Sequence, residues 1–175
     1  MLPPLSRVFE ICLYSLLNFF PFLIFALYPF RDDLRFSRTK TGLLIVVLTF
    51  LQILFGLLAC FSTGNISAVL SLISTLSYAF FYFTVIRKSP GQLLFVLLMI
   101  SNIANLTVIT AKCLEGQFFP DFALLPYRYS MSLFMVIAEI FILIPIFVFL
   151  KKVITPAISC SQSFHEWRYL WLIPA

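Results

Sequence analysis

Five long apolar runs, separated by short polar segments, dominate the sequence. Each run approaches the ~20 residues that an α-helix needs to cross the hydrocarbon core of a bilayer. Backbone groups in lipid must be hydrogen-bonded within the protein, and the alternating pattern of a membrane β-barrel is missing from the sequence, so the runs are predicted to be helices. The predicted fold is an all-α membrane protein, a polytopic transmembrane helical bundle. The runs cover residues 9–30, 41–61, 67–86, 93–113 and 129–150.

Apolar runs lie near both ends of the chain, and they differ in length. The first run is longer than the ~7–15-residue apolar core of a signal peptide and is not followed by a small-residue cleavage site, so it is predicted to be a retained helix. A further apolar run starts at Trp167 and stops at Ala175. As a helix it would span only about 14 Å, too short to cross a membrane. We therefore expect a five-helix transmembrane region in 1–166 and the truncated start of a sixth helix in 167–175, in a fragment of a longer protein.

Composition agrees with a membrane protein and excludes an ordinary soluble domain. Hydrophobic residues make up 62% of the chain, charged residues 11%, and the mean hydropathy is +1.05. The net charge of +5 does not indicate nucleic acid here, because in a membrane protein the distribution of basic residues along the chain matters more than their sum. The lipid bilayer is the expected partner, and neither a cofactor nor a nucleic acid is predicted.

Basic residues are distributed asymmetrically between the two sides of the predicted bundle. Lysine and arginine near helix ends are retained on the cytoplasmic side. Nine lie on one side, against Arg7, Lys112 and Arg128 on the other. The prediction is a multi-pass protein of the plasma membrane with its N-terminus outside and the loops 31–40, 87–91 and 151–166 inside. The nine are Arg31, Arg35, Arg38, Lys40, Arg87, Lys88, Lys151, Lys152 and Arg168.

The residues that usually carry chemistry form no catalytic motif. The five glycines are scattered, which leaves no glycine-rich phosphate loop. A single histidine, His165, excludes a multi-histidine metal site. Under the predicted topology Cys12, Cys60 and Cys113 lie near outer helix ends. Either one pair of them forms a disulfide, or each cysteine is a small buried hydrophobic residue. No catalytic or metal-binding residue is predicted.

Polar side chains inside the spans are the first group of candidate functional residues. Glu139 lies midway along the fifth run, where a carboxylate costs on the order of 2.5–3.5 kcal/mol, so it is expected to face the bundle interior as a ligand contact, a switch or a packing residue. Ser101, Asn102 and Asn105 share one helix face and are predicted to make interhelical hydrogen bonds. Serines 67, 71 and 74 and Tyr78 also share a face, which predicts close packing.

The segment 114–127 between the fourth and fifth runs is the second group. It alternates aromatic and acidic residues between two prolines and is expected to lie at the outer membrane surface. The aromatic residues are either interfacial anchors or a lip over a pocket for an apolar or cationic signal such as a small peptide. With Glu139, the candidate sensing residues are Glu115, Phe118, Phe119, Asp121, Phe122 and Tyr127.

Four segments carry a resemblance to a known family. They are YPFRDDLRFSR at 28–38, the SNIAN-to-AKCLEG run at 101–116, LPYR at 125–128 and the closing WRYLWLIPA. Together they resemble the membrane-embedded N-terminal part of sensor histidine kinases of Gram-positive, gut-type bacteria that carry a GHKL-type ATPase domain. The resemblance implies a polytopic sensor, a homodimer, and a kinase part outside this sequence that acts on a cytoplasmic response regulator. An outside N-terminus and an inside kinase require an odd number of spans, so the whole protein is expected to have seven.

Two main classes of function therefore remain, a sensor and a transporter subunit, and a membrane scaffold is a third, simpler alternative. The leading hypothesis is the sensor or receptor module of a two-component histidine kinase, which detects an extracellular or membrane signal. The alternatives are a small-molecule transporter subunit, such as the substrate-binding membrane component of an uptake system, and a membrane scaffold. Transporter subunits of that kind resemble one another in a small-residue face on the first helix, whereas Ala26 is the only alanine of that helix here.

Overall fold

The computed structural model describes residues 5–62, 65–124 and 127–160, and within these ranges every extended regular element is helical. A 3₁₀ turn at Tyr28–Phe30 continues the first helix, and a π-helical segment at Leu150–Ile154 joins the last two. The helices are α1 (Leu5–Leu27), α2 (Arg38–Phe61), α3 (Asn65–Val85), α4 (Pro90–Phe118), α5 (Pro120–Ala123), α6 (Tyr129–Phe149) and α7 (Thr155–Cys160).

Five of these helical segments are long and apolar enough to cross a membrane. The predicted all-α transmembrane bundle is therefore confirmed as a fold, and it fits a multi-pass membrane protein. The spans are Leu5–Phe30, Arg38–Phe61, Asn65–Val85, Pro90–Phe118 and Tyr129–Ser159.

Helix α1 lies at the centre of the bundle and packs against α2, α4 and α6. The largest helix contact joins α4 to α6, whereas α3 packs mainly on α2 and meets α4 over a much smaller contact. Successive spans alternate in direction, so the bundle has two ends. We call them the Glu10 end, with residues 5–12, 58–62, 65–67, 112–124 and 127–130, and the Arg35 end, with residues 28–40, 84–90 and 147–160.

At the Arg35 end, two connections between helices pair with each other. The backbone N–H of Arg35 donates to the carbonyl of Val85 at 2.8 Å, and that of Arg87 donates to the carbonyl of Asp33 at 2.9 Å. The Arg35 side chain also donates to the carbonyl of Ile86, and Lys88 forms an ion pair with Asp33 at 3.3 Å. The α1–α2 and α3–α4 connections therefore hold each other in place.

A packed apolar core lies directly behind these paired connections. The ring of Tyr82 is fully buried and meets the ring of Phe30 edge to face, with 6.2 Å between centroids. Its hydroxyl donates to the carbonyl of Ala26 at 3.1 Å, so the buried polar tip is satisfied. Further members of this core, all buried, are Leu23, Val85, Ile86, Val96, Leu150, Ile154 and Ile158.

Helix lengths differ from the sequence prediction at two places. Helix α4 continues to Phe118 instead of ending near Cys113, and the helical path after α6 continues to Cys160 through the predicted loop start at Lys151. Lys151 and Lys152 are exposed and do not end the helix, since a lysine can extend its charged tip away from an apolar segment. The segment Tyr129–Ser159 has 31 residues, about 46 Å as a helix, and so exceeds the hydrocarbon thickness.

The basic residues separate between the two ends as the sequence predicts. Eight of the nine basic residues predicted for one side lie in the described residues, and all eight are at the Arg35 end. Arg7, Lys112 and Arg128 are at the Glu10 end. Which end faces the cytoplasm stays a prediction. Arg168, His165 and the predicted sixth helix at 167–175 lie outside the described residues.

Candidate functional site

A cavity of about 480 Å³ lies between α1, α2, α3 and α4, in the half of the bundle nearer the Glu10 end. It forms where the small contact between α3 and α4 leaves the helices apart. All four helices and the segment after α5 contribute polar side chains to it. These are Tyr14, Ser15, Asn18, Gln52, Ser71, Ser74, Thr75, Tyr78, Ser101, Asn105 and Tyr127.

Charge is missing from this lining, although hydrogen-bonding groups are plentiful. Among the described residues that line the cavity there is no aspartate, glutamate, lysine or arginine. Apolar walls complete the surface, with Phe19 and Phe22 from α1, Phe55 from α2 and Ile100 from α4. The cavity therefore offers hydroxyl, amide and aromatic surface to a bound molecule but no formal charge.

Gln52 builds the wall between α2 and α3. Its amide nitrogen donates to the backbone carbonyl of Ser74 at 2.9 Å and to the hydroxyl of Ser77 at 3.2 Å. The Ser74 hydroxyl donates back to the amide oxygen of Gln52. Ser74 belongs to the face of α3 that is predicted to pack closely, and it does contact a neighbouring helix. Ser74, Ser71 and Tyr78 of this face also border the cavity. Gln52 is not among the residues predicted from the sequence, although it is a lone amide in the apolar run 41–61.

A close approach of α1 and α2 forms another part of the wall. A Cβ atom placed on Gly56 would lie 2.5 Å from the hydroxyl oxygen of Ser15 and 3.5 Å from its Cβ. Only glycine at position 56 leaves room for Ser15 in this arrangement. Both residues border the cavity, so the spacing of α1 and α2 also sets its width.

Tyr127 borders the cavity at the Glu10 end. Its ring lies 4.7 Å from the ring of Tyr14, between centroids, and its φ of 58° is in the left-handed region. A tyrosine rarely adopts that conformation unless its surroundings hold it there. Arg7 donates to the Tyr127 carbonyl at 3.4 Å and forms an ion pair with Glu10 at 2.8 Å.

Glu10 is a charged residue that the sequence analysis did not single out. Its carboxylate is only 5% exposed and, besides Arg7, approaches Arg128 at 3.7 Å. This ion pair joins α1 to the residue that precedes α6. Arg7, which binds the Tyr127 carbonyl, is thus paired with the buried carboxylate of Glu10, and so is Arg128, the residue that follows Tyr127.

Glu115 is buried inside the protein at the Glu10 end, although it belongs to the segment that is expected at the outer membrane surface. It is 0% exposed, in the last turns of α4. Its carboxylate accepts from Lys112 at 2.7 Å and from the hydroxyl of Ser130 at 2.5 Å. The cause is the length of α4, which continues as a helix past Cys113. Residue 115 therefore lies one helical turn after Lys112 and faces α6.

The aromatic residues of the 114–127 segment are mostly exposed at the Glu10 end. The ring of Phe118 stacks on that of Phe134 with 5.7 Å between centroids, and Phe119 also contacts Phe134. Phe122 and Asp121 are exposed on the short helix α5. Exposed aromatics at a helix end are typical of interfacial anchors. Tyr127 is the one predicted sensing residue among the described residues that line the cavity.

The polar residues predicted inside the spans have separate environments. Ser101 and Asn105 border the cavity, whereas Asn102 is exposed on the same helix. Glu139 is 8% exposed on α6, which packs on α4 and α1, and its Oε1 atom has no hydrogen-bond partner. Cys12, Cys60 and Cys113 are free thiols, so the alternative of a disulfide among them is not realised.

Comparisons of the chain with protein-family models, with curated proteins and with solved structures find no significant match.

Proposed function

We propose that the chain is the ligand-binding sensor region of a membrane receptor and that its cavity takes a small uncharged molecule. The observation that carries this proposal is the cavity itself. Its volume of about 480 Å³ is within the usual range of small-molecule sites, ~300–1,000 Å³. Serine, asparagine and glutamine side chains in a membrane bundle ordinarily bond to neighbouring helices, whereas here many of them border a shared space.

The packing around the cavity supports a receptor more than a transporter. Toward the Arg35 end the space is followed by the core around Phe30 and Tyr82, and then by the paired connections near Arg35. A molecule that binds near the Glu10 end would have to disrupt both layers to cross the bundle. A receptor needs only the binding step.

The proposed orientation puts the Glu10 end outside the plasma membrane and the Arg35 end in the cytoplasm. Its support is the positive-inside tendency, because eight of the described basic residues lie at the Arg35 end. A signal bound in the cavity would then arrive from outside or from the bilayer. The resemblance to GHKL-type sensor histidine kinases agrees with this direction.

A physical route for the signal follows from helix packing. Helices α1 and α4 line the cavity and also pack against α6. Helix α6 continues through Leu150–Ile154 into α7 at the Arg35 end, where the 3₁₀ turn at Tyr28–Phe30 contacts both segments. A ligand that binds one arrangement of α1 and α4 more tightly would shift the position of this extension, to which the kinase part responds.

The test uses the chain in lipid nanodiscs and a panel of small molecules, half uncharged and half charged. We expect uncharged members to raise the thermal unfolding temperature of the wild type. Ser101→Phe, which fills the cavity, should lose this response, whereas Ile109→Phe, on the exposed surface of the same helix, should keep it.

A flux assay in proteoliposomes then separates the two functions for any compound that stabilises the chain. Stabilisation without flux supports the receptor, and flux that Ser101→Phe abolishes would favour the transporter. A panel in which charged and uncharged compounds act equally on wild type and Ser101→Phe would contradict the site.

A further inference from the structure

We propose that the cavity opens sideways between α3 and α4 and takes a neutral amphiphile, a molecule with an uncharged hydrogen-bonding head and an apolar tail, directly from the bilayer. This inference rests on the proposed function, because it specifies the ligand and the access route of the same cavity. Three observations carry it: the gap between α3 and α4, the cover at the Glu10 end, and the neutral lining.

The first observation is that polar side chains line both sides of the α3–α4 gap. Ser71 and Thr75 on α3 and Asn105 on α4 all border the cavity, and all three are exposed. Thr75 is the eleventh residue of the 21-residue helix α3, so it lies at the middle of a membrane span. Because lipid would surround the bundle at that depth, an accessible gap between α3 and α4 would open toward the bilayer.

The hydroxyl groups at this gap are compatible with an apolar neighbour. The Ser71 hydroxyl donates to the carbonyl of Ser67, and the Thr75 hydroxyl donates to the carbonyl of Ser71, each at 3.0 Å. Because their hydrogens are used within α3, these groups do not need water in the gap. Their oxygen lone pairs still accept a hydrogen bond from a ligand that carries a hydroxyl or amide donor.

The second observation is the cover at the Glu10 end. Tyr127 borders the cavity there, rests on Tyr14, and has its carbonyl bound by Arg7. A route along the helix axis from the aqueous side would have to move this tyrosine and its buried ionic support at Glu10. The gap between α3 and α4 requires no such rearrangement.

The third observation defines the class of ligand. A charged head would lose its hydration without meeting an opposite charge, since the described lining residues carry none. Asn18 and Asn105 supply amide donors and acceptors, whereas Phe19 and Phe55 supply apolar wall. A neutral head with an apolar tail matches both parts of this surface.

The experiment uses the chain in nanodiscs of phosphatidylcholine and a photoactivatable 1-monoacylglycerol as the probe. Crosslinked residues are mapped by mass spectrometry. We expect labelling of cavity residues that unlabelled monoacylglycerol suppresses and that neither glycerol nor the fatty acid of equal chain length suppresses.

Access through the gap is tested by bulky substitutions with matched neighbours. Thr75→Trp on α3 and Asn105→Phe on α4 should each reduce cavity labelling by about tenfold, which corresponds to 1.4 kcal/mol. Their controls are Leu76→Trp and Leu106→Phe, at adjacent exposed positions that do not border the cavity, and these should label like the wild type. Thermal unfolding in nanodiscs checks that each variant is folded, and using both sides of the gap guards against one variant failing to fold.

The outcomes distinguish this inference from the proposed function. Equal labelling of the blocked and control variants would overturn sideways access. The binding site would still stand if Ser101→Phe abolishes the stabilising response of the wild type. Competition by the fatty acid as strong as by monoacylglycerol would overturn the neutral-ligand class. Labelling confined to the outer helix surfaces, together with no Ser101→Phe effect, would overturn both proposals.

Discussion

The two halves of this bundle are built from the same helices but differ in what fills them. Near the Arg35 end, Phe30, Tyr82 and Ile86 are fully buried, and the connections between helices pair through backbone hydrogen bonds. Near the Glu10 end, the same helices separate around a cavity of about 480 Å³. One half is therefore tightly packed, and the other contains the cavity for which ligand binding is proposed.

The same contrast appears in how each half treats polar groups. At the Arg35 end the main polar contacts are backbone hydrogen bonds and the partly exposed Lys88–Asp33 pair. At the Glu10 end the carboxylates of Glu10 and Glu115 are buried and paired with basic side chains. Separating a buried ion pair leaves an uncompensated charge, so these pairs favour one arrangement of the end that holds Tyr127 beside the cavity.

The largest expected effect is in the packed half. Tyr82→Ala removes a fully buried ring and its hydrogen bond to the Ala26 carbonyl, so we expect it to lower the free energy of unfolding by about 3–5 kcal/mol. Reversible unfolding in mixed micelles, followed by circular dichroism, measures this loss. Tyr82→Phe is the matched variant and should cost only about 1 kcal/mol, because it removes the hydrogen bond alone. A loss below that value for Tyr82→Ala would contradict a packed Arg35 half.

An intermediate effect is expected at the Glu10 end. Glu115→Gln keeps the shape of the side chain but removes the charge that Lys112 faces, and we expect a loss of about 2 kcal/mol, reduced from a fully buried pair because Lys112 is partly exposed. Asp121→Asn, an exposed acid at the same end, is the control and should be neutral. If the two variants behave alike in thermal unfolding, the Lys112–Glu115 ion pair within α4 does not stabilise the Glu10 end.

The fold could be predicted from the sequence because the bilayer sets the length of an apolar helix. All five predicted runs lie within observed spans or agree with them to a few residues. The clear misses come from helix ends: α4 continues past Cys113 to Phe118, just before Pro120, and lysines at 151 and 152 are compatible with a helix. The extra turn of α4 is what buries Glu115.

The cavity could not be predicted, because it depends on which helix faces meet. Ser101 and Asn105 share a face in any helix, and the sequence shows that sharing but not whether a partner helix lies opposite. The contacts of Gln52 with Ser74 and of Glu10 with Arg128 join residues that are distant in the sequence. These contacts are a property of the assembled bundle, whereas the spacing of Arg7 and Glu10, three residues apart on one helix, is visible in the sequence.

The smallest expected effect concerns the width of the cavity wall. In Gly56→Ala the new Cβ would lie 2.5 Å from the Ser15 hydroxyl oxygen, so α1 and α2 must separate slightly or the hydroxyl must rotate. Overpacking of this kind costs about 1–3 kcal/mol, but the gain in helix propensity from glycine to alanine offsets about 1 kcal/mol of it. We therefore expect a net loss of stability near 1 kcal/mol, and a larger effect on ligand response, since both residues border the cavity.

The double variant Ser15→Ala with Gly56→Ala isolates the cause of that loss. Without the Ser15 hydroxyl, the nearest atom to the new Cβ is the Ser15 Cβ position at 3.5 Å, an ordinary contact. The double variant should thus be at least as stable as the wild type, because the clash is relieved while the helix-propensity gain remains. A thermodynamic cycle from thermal unfolding of all four proteins measures the coupling. Additive losses would mean that α1 and α2 do not approach closely at this position. The contact between Gly56 and Ser15 would then not set the width of the cavity.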